Sequence, residues 1–331
     1  MINTSTLPAM NDNGKRTALK IFDAFGIWIW LVVFAIVFSL LNDRFLLFLN
    51  IRNILRQASP MGIMACGMTL VIITGGIDLS VGGVLSMTSA VLGVVWRETG
   101  NMGMAITAGM AVGLVFGIIN GILIARLALP PFIATFGTMS MTSGLAYAFT
   151  DSSIGGFPQW FEWLGNGMVR RMPVPFFILV AVAALCYILL NKRRLGVHLL
   201  ALGGNENAAR MAGMSIMPLK IFVYALNGVL ASFCGIILCS RIRSSYPGIG
   251  QDLEMEVITA AVIGGASMVG GQGRIFGAVG GAIFVCMIQN IFNLLGVYPF
   301  MQKVITGILI AVAVFANEWR ARKDLAPGSS E

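Results

Sequence analysis

Apolar and polar residues alternate along this chain in long blocks rather than with the short period of a soluble helix or strand. The block that organises the rest runs from Gln57 to Trp96, forty residues that contain one charge, Asp78. An apolar helix needs about 20 residues to cross a bilayer core, so this block predicts two crossings joined by a tight turn. The turn is legible as Thr74-Gly75-Gly76-Ile77-Asp78-Leu79-Ser80-Val81-Gly82-Gly83. Paired glycines allow the positive backbone torsions that end one helix, while Asp78 or Ser80 accepts hydrogen bonds from the free amides that start the next. A carboxylate at that depth is either a cap of the third span or a functional group.

The same reading places a first span near Ala24 to Leu41, a fourth near Met102 to Ile124 and a fifth from Phe132 to Phe149, entered through Pro130-Pro131. A sixth follows at Phe176 to Leu190 and a seventh at Ile221 to Ser240, then three more near Val257 to Val269, Ile275 to Leu295 and Val304 to Ala316. The predicted class is an all-α polytopic membrane protein of about ten transmembrane helices, with broken or re-entrant segments near 75–83 and 264–273. One transmembrane domain, 21–318, would sit between an N-terminal arm, 1–20, and a C-terminal tail, 319–331.

Three polar stretches interrupt the pattern. Residues 150–175, with Trp160, Phe161 and Trp163, suit an interfacial loop whose aromatics lie at headgroup level. A second polar loop ends near Glu256. The most hydrophilic segment, 191–220, holds Asn205-Glu206-Asn207-Ala208-Ala209-Arg210-Met211-Ala212-Gly213. Here Asn205 caps, Glu206 suits a helix N-terminus, the alanines favour helix and Gly213 ends it, which predicts one short helix flanked by basic residues.

Composition sharpens the class. Hydrophobic residues make up 57% of the 331, charged residues only 11%, and the mean hydropathy is +0.86, against about 25% charged residues in soluble domains. The balance of 22 Lys and Arg against 14 Asp and Glu does not indicate nucleic acid, because the basic residues lie scattered in short loops. Topology accounts for them. With ten crossings, thirteen of the 22, including the cluster Lys192 to Arg194, fall on the side of the termini, which predicts cytoplasmic termini. Cys66, Cys186, Cys234, Cys239 and Cys286 all lie in apolar segments without metal-type spacing and read as reduced packing residues.

The 40 glycines carry packing information. Gly109, Gly113, Gly117 and Gly121 recur every fourth residue, as do Gly273, Gly277 and Gly281, which lets a neighbouring helix approach closely. Gly264-Gly265 to Gly271 echoes Gly75-Gly76 to Gly82, a hint of an internal repeat that in transporters brackets the pathway.

Catalytic and metal sites are not predicted. The single histidine, His198, has no nucleophile or carboxylate nearby and reads as a surface residue, and no GxxxxGK[ST] phosphate loop occurs. Candidates for a pathway are neutral polar groups inside spans: Asn120, Thr138, Ser140, Asn227, Ser232, Gln289, Asn290 and Asn293, which suit a neutral polyol or serve as interhelical glue.

The run Gly67 to Gly83, GMTLVIITGGIDLSVGG, resembles the signature of permease subunits of bacterial ABC importers of the ribose, xylose, arabinose and galactoside type. A second run, LGGNENAARMAG from Leu202 to Gly213, resembles the same family's cytoplasmic loop. The resemblance covers about Arg52 to Trp319. It implies a subunit that moves a monosaccharide across the bacterial inner membrane, is not itself an enzyme and has no cofactor, with ATP bound by a partner. Asn205, Glu206, Ala208, Ala209, Arg210 and Gly213 would form a coupling helix for an ABC ATPase; Gly75, Gly76, Asp78, Ser80 and Gly82 would be the signature turn. A periplasmic sugar-binding protein, a second copy or paralogue and the lipid bilayer are the other implied partners, with no nucleic acid. A branched-chain amino-acid permease and a stand-alone carrier or channel are the alternatives.

Overall fold

The computed structural model describes residues 12–298, 300–305, 307, 308 and 311, with side chains from Gly26 onward. The expected tenth span near Val304 to Ala316 falls largely outside these residues, and the tail 319–331 and residues 1–11 of the arm wholly so. Helices dominate: α1 (Asp12–Leu41), α2 (Phe48–Ile73), α3 (Val81–Thr99), α4 (Met102–Ala125) and α5 (Pro131–Phe149) come first. After them come α6 (Gln159–Asn166), a two-stranded hairpin of β1 (Met168–Val169) and β2 (Met172–Pro173), and α7 (Val174–Asn191). The chain continues through α8 (Arg194–Gly204), α9 (Glu206–Met211), α10 (Ile216–Ile242), α11 (Leu253–Ile263) and α12 (Ile275–Leu294).

The organising block forms the centre. Every residue of α2 from Ala58 to Ile73 and of α3 from Val81 to Ala90 is buried. Helices α7, α10, α11 and α12 surround α2, and α4, α5 and α10 surround α3. Four helices, α4, α7, α10 and α12, are long and apolar enough on their own to cross a membrane. Helices α2 and α3 carry more Gly, Ser and Thr because protein, not lipid, contacts them on all sides. The hydroxyls of α2 turn back onto its own backbone, as in Thr69 to the Ala65 carbonyl (2.7 Å) and Ser59 to that of Leu55 (2.6 Å).

The four-residue glycine spacing does what it predicts. Side chains at Gly113, Gly117 and Gly121 would collide with the backbone of α10 at Gly228, Tyr224 and Ile221, so α4 and α10 lie backbone against backbone. Gly277 and Gly281 bring α12 onto Gly264 and Ala260 at the end of α11 in the same way.

Three expectations require correction. The stretch 150–175 is not an irregular loop: it folds into α6 and the hairpin, with Phe161 fully buried and Gly165 against the end of α10. The hydrophilic segment 191–220 holds two helices, α8 and α9, because Arg194 to Gly204 buries Gly196, Leu199 and Leu202 on one face, a helical period hidden among basic residues.

The eighth span is the third case. It is expected near Val257 to Val269 with a break near 264–273; the helix does end at Ile263, ahead of that break, but α11 starts at Leu253 and what precedes it is not helix. Before it, residues 245–250 run irregularly down α3. Ser245 exchanges backbone bonds with Ile154 (2.9 and 2.8 Å). The Ser89 hydroxyl accepts from the Tyr246 amide (3.0 Å) and donates to its carbonyl (3.1 Å), and Ser86 accepts from the Gly250 amide (3.1 Å). At the two ends of this path Gly93 packs on Ser245 and Gly82 on Gly250. Those glycines are about 16 Å apart along the helix axis, and the 11 residues of α11 add about as much again, so the two pieces together match a bilayer core of about 30 Å. Irregular backbone is tolerated at such depth where protein satisfies it, and Ser86 and Ser89, one turn apart on α3, do so.

Candidate functional site

Two glycine turns and the loop between α7 and α10 meet at one end of the bundle. After α2, Gly75 takes a positive φ of 76°, its amide donates to Ile72 and that of Gly76 to Val71. After α11, Gly265 takes φ 94°, its amide donates to Val262 and that of Ala266 to Ala261. Both helices therefore end in the same left-handed cap with paired 5→2 and 6→1 bonds. The two turns share this cap, but one residue out of the register read from the glycine echo: Gly75 answers Gly265 and Gly76 answers Ala266. The turns are tied together, since the Gly271 amide donates to the Ile73 carbonyl (2.9 Å).

Against this tie lies the end of α8. A Cβ at Gly203 would collide with the carbonyl oxygen of Ile73 and with the amide nitrogen of Gly271, so only glycine seats α8 there. Three residues on, at Glu206, α9 begins. Asn205 caps it, its side-chain oxygen accepting from the Ala208 amide (2.9 Å), and Gly213, at φ 79°, closes it with bonds from Gly213 to Arg210 and from Met214 to Ala209. Ala208, Arg210, Met211, Ala212 and Gly213 are exposed on the outer side, while Ala209 is buried. His198 is exposed on α8.

Glu206 is engaged within the chain. Its carboxylate binds Lys220 on α10 (2.7 Å) and Arg210 one turn on (3.2 Å). The Lys220 hydrogen bond holds this carboxyl below its ordinary pKa. A lowered folded pKa means that the contact contributes above the unfolded value of about 4.3 and is lost as pH falls through the lower folded value. Hydrogen exchange of the α9 amides, corrected for intrinsic rate, is expected to show protection at pH 7 that fades under acid. Lys220→Met should remove most of that pH dependence; equal protection at all pH values would show that the ion pair does not anchor α9.

Further inside, Asp78 gathers three of the predicted polar residues, Asn120, Thr138 and Asn227. Its Oδ1 accepts from the Ser80 amide (2.9 Å) and hydroxyl (2.6 Å), and its Oδ2 from Asn227 Nδ2 (2.9 Å). Ser80 in turn accepts from Asn120 Nδ2 (2.8 Å), whose Oδ1 accepts from Thr138 (2.6 Å). All five residues are buried. Ser80 occupies the N-cap position of α3 but its side chain makes no cap bond; Asp78 captures the Ser80 amide two residues on, an Asx-turn leading into the helix. The cluster joins the broken turn to α4, α5 and α10. Sequence reading did not pick out Thr135, whose hydroxyl takes the Leu79 amide (3.1 Å), or Tyr224, whose ring fills the space over Gly76.

The remaining candidates lie elsewhere. Asn290 and Asn50 exchange side-chain bonds (2.8 and 2.9 Å) between α12 and α2, and Asn293 accepts from Gln302 (3.0 Å). Gln289 donates to Glu256 (2.8 Å) on the wall of a cavity of about 220 Å³ that Arg241 and Tyr246 also line. Ser232 pairs with Thr88 (2.7 Å). The five cysteines are buried and unbridged. Among the described residues no group of three or more His, Cys, Asp and Glu is placed to share a metal ion.

Comparison with known proteins reaches most of the chain. A family model described as "Branched-chain amino acid transport system / permease component" matches residues 50–314. A ribose import permease protein of Bacillus subtilis is 40% identical over 295 residues, covering 88% of this chain and 92% of the relative. The L-arabinose transport system permease protein of Escherichia coli is 34% identical over 307 residues, 92% and 93% of the two chains. A galactose/methyl galactoside import permease protein of Salmonella typhimurium is 33% identical over 337 residues, 95% of this chain and 100% of the relative. No solved structure matches.

Proposed function

From the premise that the chain belongs to the family of branched-chain amino acid transport system permease components, we propose that it is the membrane-spanning translocation subunit of an ATP-driven importer of a monosaccharide. The chain is a multi-pass membrane protein. The family's description names amino acids, but the relatives that match along nearly the whole chain are named for ribose, arabinose and galactose, which favours sugar.

In this reading ATP is bound and hydrolysed on a separate ABC ATPase subunit that docks on α9, at Asn205, Ala208, Ala209, Arg210 and Gly213, with Glu206 holding the helix in place. A periplasmic sugar-binding protein delivers the solute at the opposite end, near 150–175 and the Ser245 end of the 240–256 stretch. A second copy or paralogue completes the pathway. The chain crosses the bacterial inner membrane about ten times with both termini cytoplasmic. The observation that carries the mechanism is the seating of Gly203 on the tied turns at Ile73 and Gly271. A displacement of α8 and α9 by the closing ATPase passes by backbone contact into both broken segments, and so into the Asp78 cluster and α11.

The reading is tested by affinity purification from the native membrane, followed by sugar- and receptor-dependent ATP hydrolysis of what elutes. An ATPase should co-elute, and Met211→Asp, on the outer face of α9, should remove it. Glu206→Lys is a poor control, because it would set three cations side by side and unseat α9 itself. A chain that elutes alone yet moves sugar in liposomes would sink the proposal.

A further inference from the structure

Between α3, α5 and the irregular segment ahead of α11 lies a cavity of about 290 Å³. Its wall is built from backbone at Gly82, Gly83 and Gly250 and from the side chains of Ser143, Tyr147, Gln251 and Glu254. The volume sits at the lower end of small-molecule pockets and far exceeds the about 30 Å³ of one water, a scale suited to a single small ligand.

Glu254 is the unusual member. It is 9% exposed, and its carboxylate has its own backbone amide as a partner but no side chain among the described residues. The other acids of this region are engaged: Glu256 accepts from Gln289 and Asp252 pairs with Lys303. The carboxylate rests on Gly82, where any Cβ would collide with its Oε2, so a glycine of the signature turn keeps the space that Glu254 occupies. It also lies beside the start of α3, about 16 Å along that helix from the Ser245 end of the path. Its own amide leaves most of the acceptor sites of the carboxylate unfilled, and a buried acid so placed is free to meet a ligand. Ser143 and Tyr147 likewise form no side-chain hydrogen bond among the described residues. In the Asp78 cluster, by contrast, the carboxylate and both its neighbours are occupied.

We propose that this cavity is a sugar-contact site of the pathway, in which Glu254 accepts hydrogen bonds from sugar hydroxyls, Ser143 and Gln251 supply neutral partners and the Tyr147 ring borders the sugar face. A carboxylate accepts only, and hydroxyls both donate and accept, so Glu254 among neutral groups, with the other acid of the wall, Asp252, already paired to Lys303, matches a polyol. A cation would be expected to draw a second carboxylate into its shell, and Asp252 is turned to Lys303. The proposal rests on the importer reading above and adds the place and the chemistry of contact.

The test uses the intact importer in proteoliposomes, with its receptor and ATPase, and D-ribose, L-arabinose and D-galactose as probes. With Glu254→Gln, sugar moved per ATP hydrolysed is expected to fall at least tenfold. Tyr147→Leu and Ser143→Ala are expected to change the relative rates of the three sugars at least threefold, which a merely structural role would not do. Equal coupling ratio and equal preference in all three variants would overturn the proposal, as would an equal loss for every sugar accompanied by equal loss of ATP hydrolysis. Should Glu254→Gln not assemble, the Tyr147 and Ser143 variants decide by the same threefold criterion. A wild-type importer that moves none of the three sugars overturns the parent reading, and this one with it.

Discussion

Gly203→Ala is expected to destabilise the protein and abolish transport, although local propensity predicts the opposite. Alanine in place of glycine within a helix ordinarily stabilises by roughly 0.5–1 kcal/mol. At Gly203 the new methyl would meet the carbonyl oxygen of Ile73 and the amide of Gly271, both backbone atoms that cannot rotate aside. The Gly271 to Ile73 bond that ties the two turns lies at the same point. Overpacking of this kind costs about 1–3 kcal/mol, and here the shift would also detach α8 from both turns. Gly204→Ala is the matched control, since a Cβ there meets nothing. Unfolding in detergent and sugar import by the assembled complex check it: Gly204→Ala should behave as wild type, and Gly203→Ala should lose stability and more than nine-tenths of transport, taking about 1.4 kcal/mol per tenfold as the scale. Equal behaviour of the two variants would mean that the contact transmits nothing.

Asp78→Ala carries the second large effect. It removes the acceptor of three donors, the Ser80 amide, the Ser80 hydroxyl and Asn227 Nδ2, all of them buried. Leaving buried donors unsatisfied costs about 1–3 kcal/mol each, and partial relaxation brings the expected total to about 3–5 kcal/mol. Asp78→Asn should cost roughly half as much on the same scale. Asn227 Oδ1 has no partner among the described residues, so a flip of that amide would let it accept from the new side chain. Thermal unfolding of the two variants against wild type measures this. If Asp78→Ala unfolds like wild type yet no longer transports, Asp78 is a functional acid and the clasp is not what retains it.

Much of this was legible from residue order. The Gln57 to Trp96 block, its turn, the caps at Asn205 and Gly213 and the glycine faces of α4 and α12 were readable because each depends on neighbours within a few residues in sequence. Asn120, Thr138 and Asn227 were readable as polar groups inside spans, but their convergence on Asp78 joins residues as far as 149 positions apart, and no local pattern encodes that. Glu254 escaped notice because it stands where a polar loop was expected to end. Ser86 and Ser89 looked like ordinary small residues of a span, though their spacing by three was a signal that one face of α3 carries hydroxyls.

By itself the sequence determined the class, the positions of most apolar helices, the glycine turns and the resemblance to sugar permeases, since hydropathy, helix caps and glycine torsions are properties of short windows. The tertiary structure decided that residues 245–263 are part irregular segment and part helix, that α8 abuts both turns through Gly203, and which polar groups are occupied and which are free. Those outcomes depend on where backbone and side chains from distant segments come to lie against one another. In an apolar solvent that offers no hydrogen bonds, it is this placement that settles which buried groups are satisfied.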